Sequence, residues 1–241
     1  MMAVIRPLTI VIAEAGLELI PKEIEEHPLV KVHAKKRGKK PSEVILDISL
    51  HYKAMRNLDN WFKRGRPDIV HTSLLIALSS VLNRAGLLRV YIHTINNLIV
   101  HVDPRVRIPR NYNRFVGLME QLLIEKKVPP NSQKPLLLVE EKRLDEFIKE
   151  NRFDYVVLLH EKGELIKPSV FGEIIGSKMA KGEKTCIIIG GFQRGDFEQF
   201  TLSLTENKVA IYKQPLETWT VLSMVIHSIE NAKELDNVLW Y

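Results

Sequence analysis

Residues 155–191 read YVVLLHEKGELIKPSVFGEIIGSKMAKGEKTCIIIGG, and this stretch decides the fold class. Apolar, β-branched runs at Tyr155–Leu159 and Thr185–Ile189 predict two buried strands, and the segment between them predicts a helix over Pro168–Ala180. A strand at Lys208–Tyr212 and a helix at Trp219–Ala232 continue the alternation. Alternating strands and helices with short connections are typical of a mostly parallel sheet that helices cover on both faces. The sequence therefore predicts an α/β fold.

The first part of the chain adds elements of both kinds. Strands are predicted at Leu8–Ala13, Leu87–His93, Leu98–Val102 and Leu136–Val139, the middle two forming a hairpin around Asn96 and Asn97. Helices are predicted at Glu18–Glu26, Ile45–Met55, Ile69–Asn83, Tyr112–Lys127 and Glu141–Glu150. The six basic residues of Lys31–Lys40 predict a mobile loop that leads to a helix N-cap at Ser42.

Composition limits the class of protein. The 241 residues suit one large domain or two small ones, and the formal net charge of +6 makes the distribution of basic residues more informative than their total. The single cysteine, Cys186, excludes an intrachain disulfide and favours a reducing compartment. No stretch approaches 18 apolar residues, and the first residues lack the apolar region of a signal peptide. We expect a soluble cytoplasmic protein, or a nucleolar one if the source were eukaryotic.

Three predicted strands end in loops with unusual composition. These loops are Leu158–Gly163, Gly190–Gly195 and Lys213–Leu216. In open α/β sheets, ligands bind at the carboxyl ends of strands, and glycine there lets the backbone approach a ligand closely. The glycines match neither the dinucleotide fingerprint nor the phosphate loop, which counts against a nicotinamide enzyme and a nucleoside triphosphatase. From spacing alone, the same glycines are equally compatible with simple turns.

The most basic segment begins before the helix at Tyr112. Arg107, Arg110 and Arg114 lie within eight residues, and guanidinium groups pair bidentately with phosphate. Arg110 and Arg114 are four apart, so we expect them on one face of a helix that begins near Asn111. Cations at a helix N-terminus oppose the helix dipole, and a bound phosphate would offset that cost. This pattern suits a polyanion such as nucleic acid, and a solvated helix start is the alternative.

Two residues near the start of the helix at Ile69 allow several roles. Asp68 either caps that helix, holds the guanidinium of Arg66, or acts as a general base. His71 follows one turn later and is expected to be structural. The eight histidines show no metal-ligand spacing, so we predict no metal.

Three segments together carry a resemblance to a known family. They are RPDIVH at 66–71, RIPRNYNRFVGLMEQL at 107–122 and GGFQRGDF at 190–197. In this order they resemble the small-subunit ribosomal RNA methyltransferases specific for N1 of pseudouridine, a ribosome-biogenesis family of the SPOUT superfamily, and the compact length is similar to its archaeal members. The resemblance covers essentially the whole chain, and the arginine segment is its most specific part.

The resemblance implies a fold, a cofactor and partners. We expect a single SPOUT domain over 1–241, with a C-terminal trefoil knot around 153–232 and an RNA-binding insertion around 84–115. The implied cofactor is S-adenosyl-L-methionine, and the implied partners are small-subunit rRNA and a second copy of the chain, without a membrane.

The resemblance also implies the site residues. The cofactor-binding set is Leu159, Gly163, Gly190, Gly195, Ile211, Tyr212, Lys213, Gln214, Pro215 and Leu216. The RNA-binding set is Arg66, Arg107, Arg110 and Arg114. The implied catalytic residues are Arg66 and Asp68, of which Asp68 orients Arg66 and is a possible base.

The expected reaction is methyl transfer to pseudouridine N1 by direct in-line displacement, which relies on positioning more than on a strong base. Two alternatives stay open. One is an rRNA-binding assembly factor with weak or dispensable catalysis, and the other is a SPOUT methyltransferase that acts on tRNA.

Overall fold

The computed structural model describes residues 5–240, so the prediction about the first residues lies largely outside the described part of the chain. One eight-stranded sheet has the order β4-β5-β3-β2-β1-β7-β6-β8. The strands are β1 Leu8–Ala15, β2 Leu88–Thr94, β3 Leu98–Val102, β4 Lys127–Val128, β5 Leu137–Glu141, β6 Tyr155–Leu165, β7 Thr185–Gly190 and β8 Lys208–Ala210. Four pairings, β1-β2, β1-β7, β6-β7 and β6-β8, are parallel and the other three are antiparallel, which confirms the mostly parallel sheet.

Helices cover both faces of this sheet. They are α1 Pro28–Lys36, α2 Ile48–Met55, α3 Pro67–Ser79, α4 Val81–Arg84, α5 Tyr112–Glu125, α6 Leu144–Asn151, α7 Pro168–Ala180, α8 Gln199–Leu202, α9 Thr218–Glu230 and α10 Asp236–Leu239. Short 3-10 turns lie at Lys22–Ile24, Pro41–Glu43, Trp61–Lys63 and Lys233–Leu235. The chain returns from β8 at the sheet edge to α9, which packs beside β7.

Strand β1 divides the core into two layers. Ile10 and Ile12 face a large cluster that includes residues of α3, α5, α7 and α9. Val11 and Ala13 face a second cluster with residues of α6 and α8. Side chains alternate between the two faces of a strand, so a continuous apolar run indicates burial on both sides. A third small cluster holds together the segment between residues 20 and 58.

The basic segment Lys31–Lys40 is not a loop, and this prediction was wrong. Helix α1 runs through most of it, because His27 caps the helix, Pro28 occupies its first position, and Val30 and Ala34 are buried one turn apart. Ser42 lies in a 3-10 turn and caps no helix; the N-cap of α2 is Asp47, whose carboxylate accepts the N–H of Ser49.

Other boundaries also differ from the prediction. Only Lys22–Ile24 of the predicted helix Glu18–Glu26 is helical, because Leu19 pairs with Ile45 as an isolated bridge. That bridge also removes Ile45 from the helix predicted at Ile45–Met55. The hairpin around Asn96 and Asn97 is confirmed, and Asn97 has a left-handed backbone conformation with φ of 55°.

The predicted loop Leu158–Gly163 belongs to β6. The strand continues to Leu165, and its pairing with β8 shifts register between Leu159 and Glu164. Gly163 allows this close approach: a Cβ there would lie 2.5 Å from the carbonyl carbon of Lys208. Leu159 and Glu164 both pair with Val209, so residues 160–163 lie outside the strand ladder, and the predicted loop coincides with this irregularity inside β6.

A buried carboxylate joins α1 to α5. Glu120 is fully buried in α5, and it accepts two hydrogen bonds from Arg37, at 2.7 and 2.9 Å, and one from Lys39 at 2.6 Å. It also accepts the backbone N–H of Ile45 at 3.1 Å. Part of the basic segment is thus held by an internal acid, since a buried charge requires partners.

Replacing Glu120 tests this anchor. We expect Glu120→Ala to lower the free energy of unfolding by about 3 kcal/mol, because it leaves two cations and one buried N–H without their acceptor. Urea denaturation measures the change. Glu125→Ala is the matched control, since Glu125 is exposed on the same helix. Equal stability of the two variants would contradict the anchoring role.

Candidate active site and nucleic-acid interface

A cavity of about 530 Å³ lies at the carboxyl ends of β6, β7 and β8. Eight of the ten predicted cofactor residues line it: Leu159, Gly190, Gly195, Ile211, Tyr212, Gln214, Pro215 and Leu216. Gly163 packs against the backbone of β8 instead, and Lys213 is exposed outside the lining. Strand ends that are far apart in the sequence therefore form one pocket, as expected at the carboxyl ends of strands in an open α/β sheet.

Hydrogen bonds at the end of β7 hold the pocket together. The hydroxyl of Thr218 donates to the carbonyl of Gly190 at 2.7 Å and so ties the start of α9 to β7. The N–H of Gly191 donates to the carbonyl of Ala13 at 2.7 Å, which ties the following loop to β1. Gly195 has φ of +95°, a conformation that glycine adopts most readily, and a Cβ there would lie 2.7 Å from the ring of Phe62. The glycine loop thus packs closely against neighbouring backbone and rings.

Several residues of the pocket wall were not among those predicted from the sequence. Phe192 and Phe197 meet edge to face with ring centroids 5.1 Å apart, and His160 lies 2.8 Å from the carboxylate of Asp196. Although burial opposes ionisation, the hydrogen bond to His160 and the N–H of Phe197 lower the pKa of Asp196. His160 lies in the predicted loop Leu158–Gly163, and Asp196 and Phe197 belong to the glycine segment, but no local pattern indicated that Thr218 joins them.

Arg66 is fixed just before α3. Its N–H donates to the carbonyl of Gly16 at 2.9 Å, and its guanidinium forms two hydrogen bonds of 2.7 Å to Asp68. The hydrogen bonds to Asp68 raise the pKa of the Arg66 guanidinium, and the carboxylate of Glu217 contributes to the same shift. Glu217 directly precedes Thr218 of the pocket wall.

The structure separates the three roles considered for Asp68. Helix α3 begins at Pro67 with Arg66 at its N-cap position and without a side-chain cap, so the capping interpretation was wrong. The bidentate contact to Arg66 is present. A role as general base stays a prediction.

The arginine segment lies along a wide basin of about 1090 Å³. Arg107 and Arg110 line it together with three further arginines, which are Arg84, Arg89 and Arg105. Leu74, Leu75 and Leu78 of α3 also line the basin and give it apolar surface. Arg84 and Arg89 are isolated cations in the sequence, and only the fold brings them to this segment. The side chain of Arg105 is paired with Asp103 at 2.8 Å.

Arg110 and Arg114 do not share a helix face, so that prediction was wrong. Asn111 caps α5 by accepting the N–H of Arg114 at 3.1 Å, which leaves Arg110 in the preceding loop. Both arginines are exposed. The segment is anchored by His71, whose Nε2 lies 2.7 Å from the carbonyl oxygen of Pro109 and whose ring stacks on Phe115. His71 therefore has the structural role expected of it.

Residues 5–240 contain neither a cluster of metal-binding side chains nor a helix that could cross a membrane. No group of three or more His, Cys, Asp or Glu side chains there is arranged to hold a metal ion. No helix in that range is both long enough and apolar enough to cross a membrane.

Proteins of known family are similar to this chain over most of its length. Residues 10–230 match the family model described as EMG1/NEP1 methyltransferase. The "Ribosomal RNA small subunit methyltransferase Nep1" of Staphylothermus marinus is 49% identical over 93% of this chain and 96% of its own. The protein of the same name from Thermococcus kodakarensis is 45% identical over 93% of this chain and 98% of its own.

A solved structure also resembles the whole chain. The crystal structure of Archaeoglobus fulgidus Nep1 bound to S-adenosylhomocysteine has a TM-score of 0.80 and 35% identity, and the match covers 95% of this chain and 98% of the other. These likenesses confirm the SPOUT-type α/β class and the methyltransferase assignment. The chain, with its strand-end pocket and arginine basin, belongs to the EMG1/NEP1 methyltransferase family.

Proposed function

We propose that this chain transfers the methyl group of S-adenosylmethionine to N1 of a pseudouridine in small-subunit ribosomal RNA during ribosome biogenesis. The observation that carries the proposal is the likeness, over 95% of the chain, to a Nep1 structure that contains S-adenosylhomocysteine, the product left after methyl transfer. The relatives named as small-subunit rRNA methyltransferases support the substrate class. The pseudouridine N1 specificity comes from the family resemblance.

The strand-end pocket fits such a cofactor. Its walls combine apolar side chains, including Leu159 and Ile211, with backbone groups at the ends of three strands. Polar groups that are few and convergent in a mostly apolar cavity suit a nucleoside ligand. Gly190 keeps the pocket open, since a Cβ there would lie 3.2 Å from the rings of Phe192 and Phe197. The cofactor supplies a methyl group on a positively charged sulfonium.

Arg66 and Asp68 have the catalytic roles in this proposal. Asp68 holds the guanidinium of Arg66 by two hydrogen bonds, so the cation keeps one orientation. Negative charge on the uracil carbonyls during N1 attack is stabilised by a guanidinium already in place. Pseudouridine N1–H is free and weakly acidic because the sugar is attached through carbon. Positioning therefore contributes more than a strong base.

The arginine basin is the proposed RNA surface. Arg107 and Arg110 line it, Arg114 is exposed on the adjoining first turn of α5, and Arg66 binds near the reacting base. Apolar surface between guanidinium groups suits RNA, whose unstacked bases pack on planar and apolar side chains while its phosphates bind cations. We place the RNA-binding insertion around 84–115 and the cofactor-binding knot around 153–232. The proposal includes a cytoplasmic location, which cell fractionation tests.

The reaction itself is tested with paired RNA hairpins. We expect labelled methyl transfer from S-adenosylmethionine to a hairpin with pseudouridine in its loop, and none to the uridine version, because uridine N1 carries the sugar. A hairpin with N1-methylpseudouridine is the control and accepts no label. Scintillation counting of purified RNA measures transfer.

Other outcomes would replace the proposal. Tight rRNA binding without transfer to any small-subunit RNA would favour an assembly factor. Transfer only to tRNA would favour a tRNA-modifying SPOUT enzyme.

Removing two basin arginines tests the RNA surface. We expect Arg107→Ala/Arg110→Ala to weaken RNA binding and to reduce the slope of log affinity against log salt by about 2, because each arginine displaces about one counterion. Binding of S-adenosylhomocysteine should not change. Lys149→Ala is the control, since Lys149 is exposed on α6. An unchanged salt slope in the double variant would exclude these two phosphate contacts.

The homodimer is also part of the proposal. Leu165, Val170 and Ile174 are 62%, 50% and 36% exposed, and the last two lie one turn apart on α7. Adjacent exposed apolar side chains of this size favour a protein interface.

Two substitutions on α7 test the dimer. We expect the chain to sediment as a dimer and Val170→Asp/Ile174→Asp to sediment as a monomer, because two carboxylates cannot be buried without partners. Leu50→Asp, at an exposed position of α2, is the control and stays dimeric. A wild-type chain that sediments as a monomer at all concentrations would contradict the homodimer.

A further inference from the structure

A buried ion pair lies behind the cofactor pocket. The Nζ atom of Lys63 is 2.7 Å from Oε2 of Glu14, and the two side chains are only 3% and 2% exposed. Glu14 is near the end of β1, and Lys63 is the last residue of the 3-10 turn Trp61–Lys63. Neither residue has a role in the mechanism above.

The backbone at Glu14 is unusual. Its φ is 53°, a left-handed conformation that a side chain with a Cβ rarely adopts, and the pairing of β1 with β2 shifts register between Ile12 and Ala15. Backbone strain of this kind is characteristic of functional sites. The strained conformation coincides with burial of a charge, so two unfavourable features meet in one residue.

Both residues of the ion pair contact the loop 191–198, which contains Gly191 and Gly195. Oε1 of Glu14 accepts the N–H of Glu198 at 2.9 Å, and the ammonium of Lys63 lies 4.6 Å from the ring centroid of Phe192. The carboxylate of Glu198 is also 3.6 Å from Lys63. Phe192 and Glu198 lie at the two ends of the loop that forms one wall of the pocket. One ion pair therefore holds both ends.

The 3-10 turn Trp61–Lys63 lies just before Arg66 in the chain. Lys63 is three residues before Arg66, whose N–H is bound to the carbonyl of Gly16 just beyond β1. The intervening Arg64 forms its own ion pair with Glu18, with hydrogen bonds of 2.8 and 2.6 Å. The end of β1 thus organises the cofactor loop and the Arg66 segment together.

We propose that Glu14 and Lys63 are positioning residues for cofactor binding: their buried ion pair fixes loop 191–198 in the conformation that forms the pocket wall. The inference rests on the proposed function, because it assumes that this pocket binds S-adenosylmethionine. The pair acts through the backbone of Glu198 and the ring of Phe192 and touches no reacting atom. A charged acceptor and a cation–π contact at opposite ends of a short loop limit its movement.

The test compares two ion pairs from the same strand end. Glu14→Gln removes the buried negative charge that holds the loop, whereas Glu18→Gln weakens a neighbouring pair with a similarly buried carboxylate, which binds Arg64 and Asn96. Titration calorimetry of the full-length protein with S-adenosylhomocysteine measures affinity, and thermal unfolding measures stability. We expect at least a tenfold loss of affinity in Glu14→Gln and less than a twofold loss in Glu18→Gln, at comparable losses of stability.

Each result has a definite meaning. Equal losses of affinity in the two variants, or wild-type affinity in Glu14→Gln, would overturn the inference. A wild-type chain that does not bind S-adenosylhomocysteine would instead overturn the proposed function. If Glu14→Gln does not fold, the neutral pair Glu14→Gln/Lys63→Met avoids the unpaired buried cation. It should fold and still lose at least fivefold in affinity, and wild-type affinity there would also overturn the inference.

Discussion

Burial of strand β1 on both faces is the constraint on which the other parts depend. All eight of its residues are buried, and parallel neighbours pair with it on both sides. A strand with these surroundings lies in the interior of the sheet, so its carboxyl end is held on both sides. The carbonyl of Ala13 binds the glycine loop, and the carbonyl of Gly16 binds the backbone of Arg66. The strand-end pocket and Arg66 are therefore positioned from one strand end.

Buried carboxylates hold several of the basic residues in internal ion pairs. Glu14, Glu18 and Glu120 are each at most 3% exposed, and each binds at least one cation from the basic clusters. Those cations are Lys63, Arg64, Arg37 and Lys39. Removing a buried partner from such a pair is costly, so these cations have a structural role. The exposed cations, among them the arginines around α5, stay accessible to a phosphate.

The family and its chemistry were recognisable from three short segments, and the structural comparison confirmed them. Local patterns also predicted most strands and long helices, because apolar periodicity reflects the face that each element buries. Helix α7 has the bounds that its apolar pattern predicted. The same reasoning failed for Lys31–Lys40, because α1 has only two buried positions, Val30 and Ala34, among many charged residues. At Leu158–Gly163 it located the irregular segment but did not predict that β6 continues beyond it to Leu165.

The sequence by itself determined the α/β class, the arginine segment, the three strand-end segments and the family. These features are local, and each is contained in a run of neighbouring residues. Only the tertiary structure shows which residues form ion pairs and which side chains line the pocket together. Arg37 is 83 positions from Glu120, and Glu14 is 184 positions from Glu198. No local pattern encodes such contacts, because they form only when the strands are placed side by side in the sheet.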